Sequence, residues 1–247
     1  MKRVLSLITL ILTVQTISIF FSYYTWRIYS TELYVVSSNP STSIYFGFLL
    51  SLIPISFSFL MIKLLKLKAF KLVLAIIQSL VISTWLFLII FPTSHFWASL
   101  ISIVCLPLFV SLMLLNNLEI RKVITVIFSA SSSTLLAITL PLYAILILSL
   151  VLAAFDVYLV FKGPLSKGAP RLSLTVNLSD ITIGVGDLIF YSLIPISIMM
   201  HKGVMEMFIA CLLINVGAAI SVHLLSRRET LPGLPIPLLL CLPLFFS

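Results

Sequence analysis

Two aspartates, Asp156 and Asp187, stand in stretches whose other residues suit a lipid interior. Asp156 follows the apolar run that begins at Leu146, and Asp187 sits in Gly184-Val185-Gly186-Asp187-Leu188-Ile189-Phe190-Tyr191-Ser192. A charged side chain at the centre of a membrane helix costs at least about 2.5 to 3.5 kcal/mol on insertion scales, so its retention points to function. Two carboxylates a few ångströms apart in a low dielectric cannot both ionise, and the pair then holds one proton between them. One member can take a proton from water while the other polarises a peptide carbonyl, which is chemistry for hydrolysing a peptide bond. Which aspartate plays which part belongs to the pair jointly and is not set by the sequence.

The elements that must position these acids follow from composition. With 61% hydrophobic and 9% charged residues in 247, the chain is read as an all-α polytopic membrane protein. About 20 apolar residues cross the hydrocarbon as a helix, and continuous runs of that length favour helices over a barrel. Nine spans are expected: Val4 to Ser22, Ser43 to Ile62, Leu72 to Pro92, Phe96 to Leu115, Val123 to Thr139, Leu142 to Phe161, Ile181 to Met200, Val204 to Leu225 and Leu234 to Phe246. Met1-Lys2-Arg3 resembles the start of a signal peptide, but no small-residue cleavage site follows. Aromatic residues at Phe20-Phe21 and Tyr23-Tyr24 form an interfacial belt, so the first span is read as retained.

Of the 15 Lys and Arg, only Arg27 and Lys202 fall on one side of the alternating loops. The positive side is cytoplasmic, which puts the N-terminus inside and the C-terminus outside. The net charge of +8 is thereby explained without a nucleic-acid partner. The lysines from Lys63 to Lys71 read as a topology signal, with anionic lipid headgroups as the other occupant they would suit.

This topology places both acids near the cytoplasmic face. Asp156 lies roughly 8 Å from the end of the sixth span, and Asp187 roughly 9 Å into a seventh span starting at Ile181. Equal depth on consecutive antiparallel helices lets the two carboxylates face each other. Ala153 and Gly184, each three residues before an acid, permit close backbone approach, and Gly186 leaves room for a substrate backbone at a cost in helix stability. Pro232, Pro235 and Pro237 stand at the same face. They read either as an open helix end offering backbone groups to a substrate or as an ordinary helix start.

Other polar residues are assigned quieter roles. Ser179-Asp180 precedes the seventh span and suits an N-cap. Glu32, Glu119, Glu206 and Glu229 lie in or beside loops. His95 belongs to an interfacial belt with Phe96 and Trp97, His201 to an outer loop, and His223 to the inner end of the eighth span. No HExxH or GxSG-like pattern occurs. Cys105, Cys211 and Cys241 lack ligand spacing, so neither a disulfide framework nor a metal is expected, and no cofactor is implied. The cluster from Ser129 to Thr134 reads as a close helix-packing surface.

Three motifs then coincide in order and spacing. Phe155-Asp156 resembles the YD motif, Gly184-Val185-Gly186-Asp187 the GxGD motif, and Leu231-Pro232-Gly233-Leu234 with Pro235 and Pro237 the PAL region of the presenilin and signal peptide peptidase family. The continuation to Tyr191-Ser192, the nine spans and the N-inside orientation resemble presenilin; signal peptide peptidases are inverted. The resemblance covers mainly Leu142 to the C-terminus, with Phe155 in place of the tyrosine and Gly233 in place of the alanine.

What this resemblance implies is an intramembrane aspartyl protease with Asp156 and Asp187 catalytic, and with Gly184, Gly186, Pro232, Gly233 and Leu234 lining the substrate. It also suggests that Leu172, Leu174 and Val176, in the alternating stretch from Arg171 to Asn177, pair with an unwound substrate strand. The whole chain, 1–247, is then one membrane domain: 1–161 with six spans, a cytoplasmic loop 162–180 short enough for the chain to work uncut, and 181–247 with the last three. Its partners would be transmembrane-helix substrates and the bilayer of the cell membrane. A homo-oligomer is compatible with this, and no accessory subunit or nucleic acid is called for. Two alternatives stay open: a prepilin or preflagellin-type GxGD peptidase, though those carry a lysine soon after the aspartate where this chain has Leu188-Ile189, and a transporter or ion channel using paired buried aspartates.

Overall fold

A computed structural model of the chain describes residues 2–29, 40–64, 70–115, 117–161, 175–178, 181–225 and 232–246. Its helices are α1 (Lys2–Tyr29), α2 (Pro40–Leu64), α3 (Phe70–Ile90), α4 (His95–Leu114), α5 (Leu118–Thr139), α6 (Leu142–Phe161), α7 (Val185–Lys202), α8 (Val204–Leu225), α9 (Pro235–Cys241) and α10 (Pro243–Phe246). Two short strands, β1 (Thr175–Leu178) and β2 (Ile181–Gly184), lie between α6 and α7. Among the described residues six helices are long and apolar enough to cross a membrane, and the protein is an integral, multi-pass membrane protein.

Local chemistry sets most of the boundaries. Asn117 caps α5, its side chain accepting from the Glu119 and Ile120 N–H groups at 3.0 and 3.4 Å, so this helix begins a turn earlier than hydropathy alone suggests. Leu140 is extended because Pro141 follows it, and this separates α5 from α6. Ser94 caps α4 by accepting from Trp97 N–H. Pro243, which has no N–H to donate, divides the last apolar stretch into α9 and α10.

One boundary differs from expectation in a way that matters for the site. The seventh helix starts at Val185, and residues from Ile181 to Gly184 form β2 instead of its first turn. Ile181, Thr182 and Ile183 are β-branched and favour a pleat, and β1 offers them an antiparallel partner with Thr175 opposite Gly184 and Leu178 opposite Ile181. Gly184, extended at φ −67° and ψ 139°, is the N-cap residue. Asp187 is therefore in the first turn of α7, not a turn and a half inside it. The capping role expected of Asp180 falls to Gly184, and Asp180 itself lies outside the described residues.

Helix α7 forms the centre of the bundle, packing on α5, α8 and α1. Leu188, Leu193, Ile196 and Ile198 are fully buried. Outside it, α2 packs on α6 and α3 on α4, and α4 is mostly exposed. The serine cluster of α5 packs on α1 as a polar seam: Ser133 Oγ donates to Ser18 Oγ at 3.2 Å, and Ser22 Oγ to Thr134 Oγ1 at 3.1 Å. Small hydroxyl residues of this kind let helices approach where lipid supplies no hydrophobic drive.

Close approach is tightest where glycine is present. A Cβ on Gly47 of α2 would lie 2.6 Å from the Ala144 carbonyl oxygen of α6, and backbone cannot yield as a side chain can. Gly47→Ala is accordingly expected to destabilise the fold by about 1 to 3 kcal/mol, read as a lower thermal midpoint in detergent; an unchanged midpoint would mean α2 and α6 are not in this contact.

Candidate active site

Asp156 is carried near the end of α6, two turns past the buried Ser149 and one beyond the buried Ala153. Its carboxylate is half-buried. Leu234 N–H donates to its Oδ2 at 3.5 Å, with the Gly233 N–H beside it. Phe155, just before it, turns its ring toward Tyr158, the two stacked at 6.4 Å.

Asp187 occupies the third position of α7. An acid at this place can reach back to the N–H of the capping residue, and Gly184 N–H does serve its carboxylate. On its other side the carboxylate meets the main chain of Gly233. A Cβ built on Gly233 would stand 2.6 Å from Oδ2 and 2.9 Å from Cγ of Asp187, so glycine at 233 is what lets the carboxylate seat there.

The two acids thus meet at one three-residue segment, Pro232-Gly233-Leu234, and each lies within the other's electrostatic reach. Three features hold that segment. Pro235 at the first helical position starts α9 just after it. Gly217 of α8 allows the first turn of α9 to pack closely, since a Cβ there would be 2.5 Å from Pro237 Cα. Tyr191, one turn after Asp187, donates its hydroxyl to the Gly233 carbonyl at 2.9 Å. Pro235 thus starts a helix, and the residues just before it lie against the two acids.

The remaining expected site residues divide. Gly184 touches Asp187, its position for a Cβ lying 3.3 Å from Oδ2. Gly186 is exposed and faces open space, with nothing within 4 Å of where a Cβ would be, which leaves room beside Asp187. Val176 lies in β1 opposite Ile183; Leu172 and Leu174 lie outside the described residues. The stretch expected to pair with a substrate strand is thus partly paired already, with β2 of the same chain.

Sequence reasoning passed over three residues that the structure attaches to this site. Besides the Tyr191 hydroxyl, Gln15 Nε2 of α1 donates to the Tyr191 carbonyl at 3.0 Å, and Asn215 Nδ2 of α8 donates to Gln15 Oε1 at 2.9 Å. The available signal was a lone carboxamide in each of two apolar spans.

No protein-family model matches the sequence, and no curated protein matches it. The fold is nevertheless similar to a solved one, that of a presenilin family intramembrane aspartate protease. The likeness has a TM-score of 0.71 over 98% of this chain and 97% of that one, at 18% identity. At that identity the likeness is one of fold, and it spans the first helices as well as the stretch that carries the motifs.

Two outcomes follow from the geometry. Gly233→Ala should push the Asp187 carboxylate from its seat and lower any Asp187-dependent activity by about tenfold or more, with the protein still folded; full activity would mean that the carboxylate does not rest on Gly233. The double variant Asp156→Asn with Asp187→Asn should raise stability by about 1 kcal/mol or more, since burying the one charge that the pair shares is costly. A thermal midpoint in detergent that stayed level or fell would count against a shared site.

Proposed function

We propose that this chain is an intramembrane aspartyl protease of the presenilin type, hydrolysing peptide bonds within transmembrane helices of other proteins. What supports the reading above all is that the carboxylates of Asp156 and Asp187, from two different helices, meet at the same main-chain segment, Gly233-Leu234. The fold likeness to a presenilin family protease supports it as well.

On this reading a water sits between the acids. The ionised aspartate takes its proton as the oxygen adds to the peptide carbonyl carbon, and the protonated aspartate gives its proton to the carbonyl oxygen. Collapse of the resulting diol breaks the carbon–nitrogen bond, and a proton passes to the leaving amine. The open space at Gly186 admits the substrate main chain beside Asp187, and Pro232, Gly233 and Leu234 form the opposite wall. Among the described residues the sheet has two strands, so the other edge of β1, which includes Val176, would receive a locally unwound substrate; Leu172 and Leu174, which precede β1 in the sequence, would contact the same substrate.

The frame proposed for this chemistry is a single membrane domain of nine spans in the cell membrane. The N-terminus and the aspartates' end of the bundle face the cytoplasm, a reading that the placement of Lys and Arg supports. The chain works uncut and without accessory subunits. Purified protein in detergent, given a transmembrane substrate, should cleave it, and Asp156→Ala or Asp187→Ala alone should each reduce the rate by at least about a thousandfold, because residues acting as a unit fail together. Persistent cleavage in either variant would falsify the assignment.

A further inference from the structure

Helix α7 contains Pro195, one helical step of four residues beyond Tyr191. Proline has no N–H, so the Tyr191 carbonyl loses its regular donor, and the proline ring crowds that same oxygen and turns it out of the helix. The surroundings offer little relief. Tyr191 is 4% exposed and Leu193 and Ile194 at most 1%, so a bare carbonyl there would be costly. The oxygen nonetheless has a partner, since Gln15 Nε2 donates to it at 3.0 Å from α1.

The direction of that hydrogen bond is fixed from behind. Asn215 uses its amide nitrogen twice, on the Cys211 carbonyl of its own helix at 2.7 Å and on Gln15 Oε1 at 2.9 Å. An amide nitrogen only donates, so the Gln15 oxygen must be the end facing Asn215, and its nitrogen is left facing Tyr191. Gln15 is itself 2% exposed, and leaving its carboxamide without partners would be unfavourable in the same way. The anchored residue is also the one whose hydroxyl holds the Gly233 carbonyl, and it lies one turn from Asp187.

We propose that Gln15 is a positioning residue for the candidate active site: its carboxamide, oriented by Asn215, replaces the hydrogen bond that Pro195 removes and so fixes the turn of α7 bearing Asp187 and Tyr191. The effect on catalysis rests on the protease reading, whereas the replacement of one hydrogen bond by another does not.

The two claims separate in a cycle of Gln15→Leu and Pro195→Ala, alone and combined, followed by thermal unfolding in detergent and by cleavage kinetics. With Pro195 present, Gln15→Leu should lower the midpoint by about 2 to 4 °C. It should also lower kcat by about tenfold while KM stays within about twofold, as expected when an aligned group is misplaced but the substrate is still bound. In the Pro195→Ala background the restored N–H serves the carbonyl, so Gln15→Leu should change the midpoint by under about 1 °C and most of kcat should return. Pro195→Leu supplies the same N–H if the alanine variant does not fold. An equal loss of midpoint in both backgrounds, or none in either, overturns the hydrogen-bond replacement. A midpoint cycle as expected with kcat untouched, or with the loss confined to KM, overturns the positioning role. A wild type that cleaves no substrate defeats the protease reading, while the midpoints still decide whether Gln15 stands in for the missing donor.

Discussion

Two carboxylates and a stretch of non-helical main chain solve each other's problem inside this bundle. Backbone groups away from water need partners, and so do buried acids. Leu234 N–H, left without a carbonyl to bond at the start of α9, is met by Asp156, and the Gly233 carbonyl is met by the Tyr191 hydroxyl. Asp187 finds Gly184 N–H at the head of its own helix. Remove Asp156 and the open segment is underserved; close the segment into a helix and Asp156 loses its donors.

The rest of the architecture reads as what this arrangement demands. A helix that brings Asp187 and Tyr191 to one face must be surrounded, and α7 is, by α1, α5 and α8. The segment from Pro232 to Leu234 comes very near, with Gly233 against the Asp187 carboxylate, and the approach of α9 to α8 requires glycine at 217, where a Cβ would meet the Pro237 backbone. Lipid is as apolar as the side chains, so hydrophobic burial discriminates poorly between one helix packing and another. Register is set instead by polar contacts between helices: Ser18 with Ser133, Ser22 with Thr134, and Gln15 with Asn215 and Tyr191.

Much of this was legible in the sequence, and the parts that were not share a physical cause. Long apolar runs announce spans, and an acid within one announces a site, because both are strong local signals against a uniform background. The start of α7 was hidden because Ile181-Thr182-Ile183 is as apolar as a helix turn, and hydropathy cannot tell a short apolar strand from a helix. Only pairing with β1 decides it. The contact of Gly233 with Asp187 was not readable at all, since it depends on how two distant segments meet. Gln15 and Asn215 were visible as polar residues but had no period or motif, and their roles lie wholly in contacts across the bundle.

The two interruptions of α7's surroundings explain why those contacts matter. Below Asp187 the chain leaves the helix at Gly184 and becomes a strand; above it Pro195 breaks the hydrogen-bond ladder. The turn between them is therefore held less firmly by helix continuity than the rest of α7, which runs on to Lys202. It is held from the side: by α1 through Gln15, by the segment before α9 through Tyr191, and by packing on α5 and α8. On the proposed function, a substrate strand adding to β1 would pull on the hairpin that ends at Gly184, and a helix anchored only through its own backbone would pass that pull to Asp187. Lateral anchoring of Tyr191 would let the strand side adapt while the carboxylate keeps its place, as the proposed chemistry, which tolerates little displacement, would need.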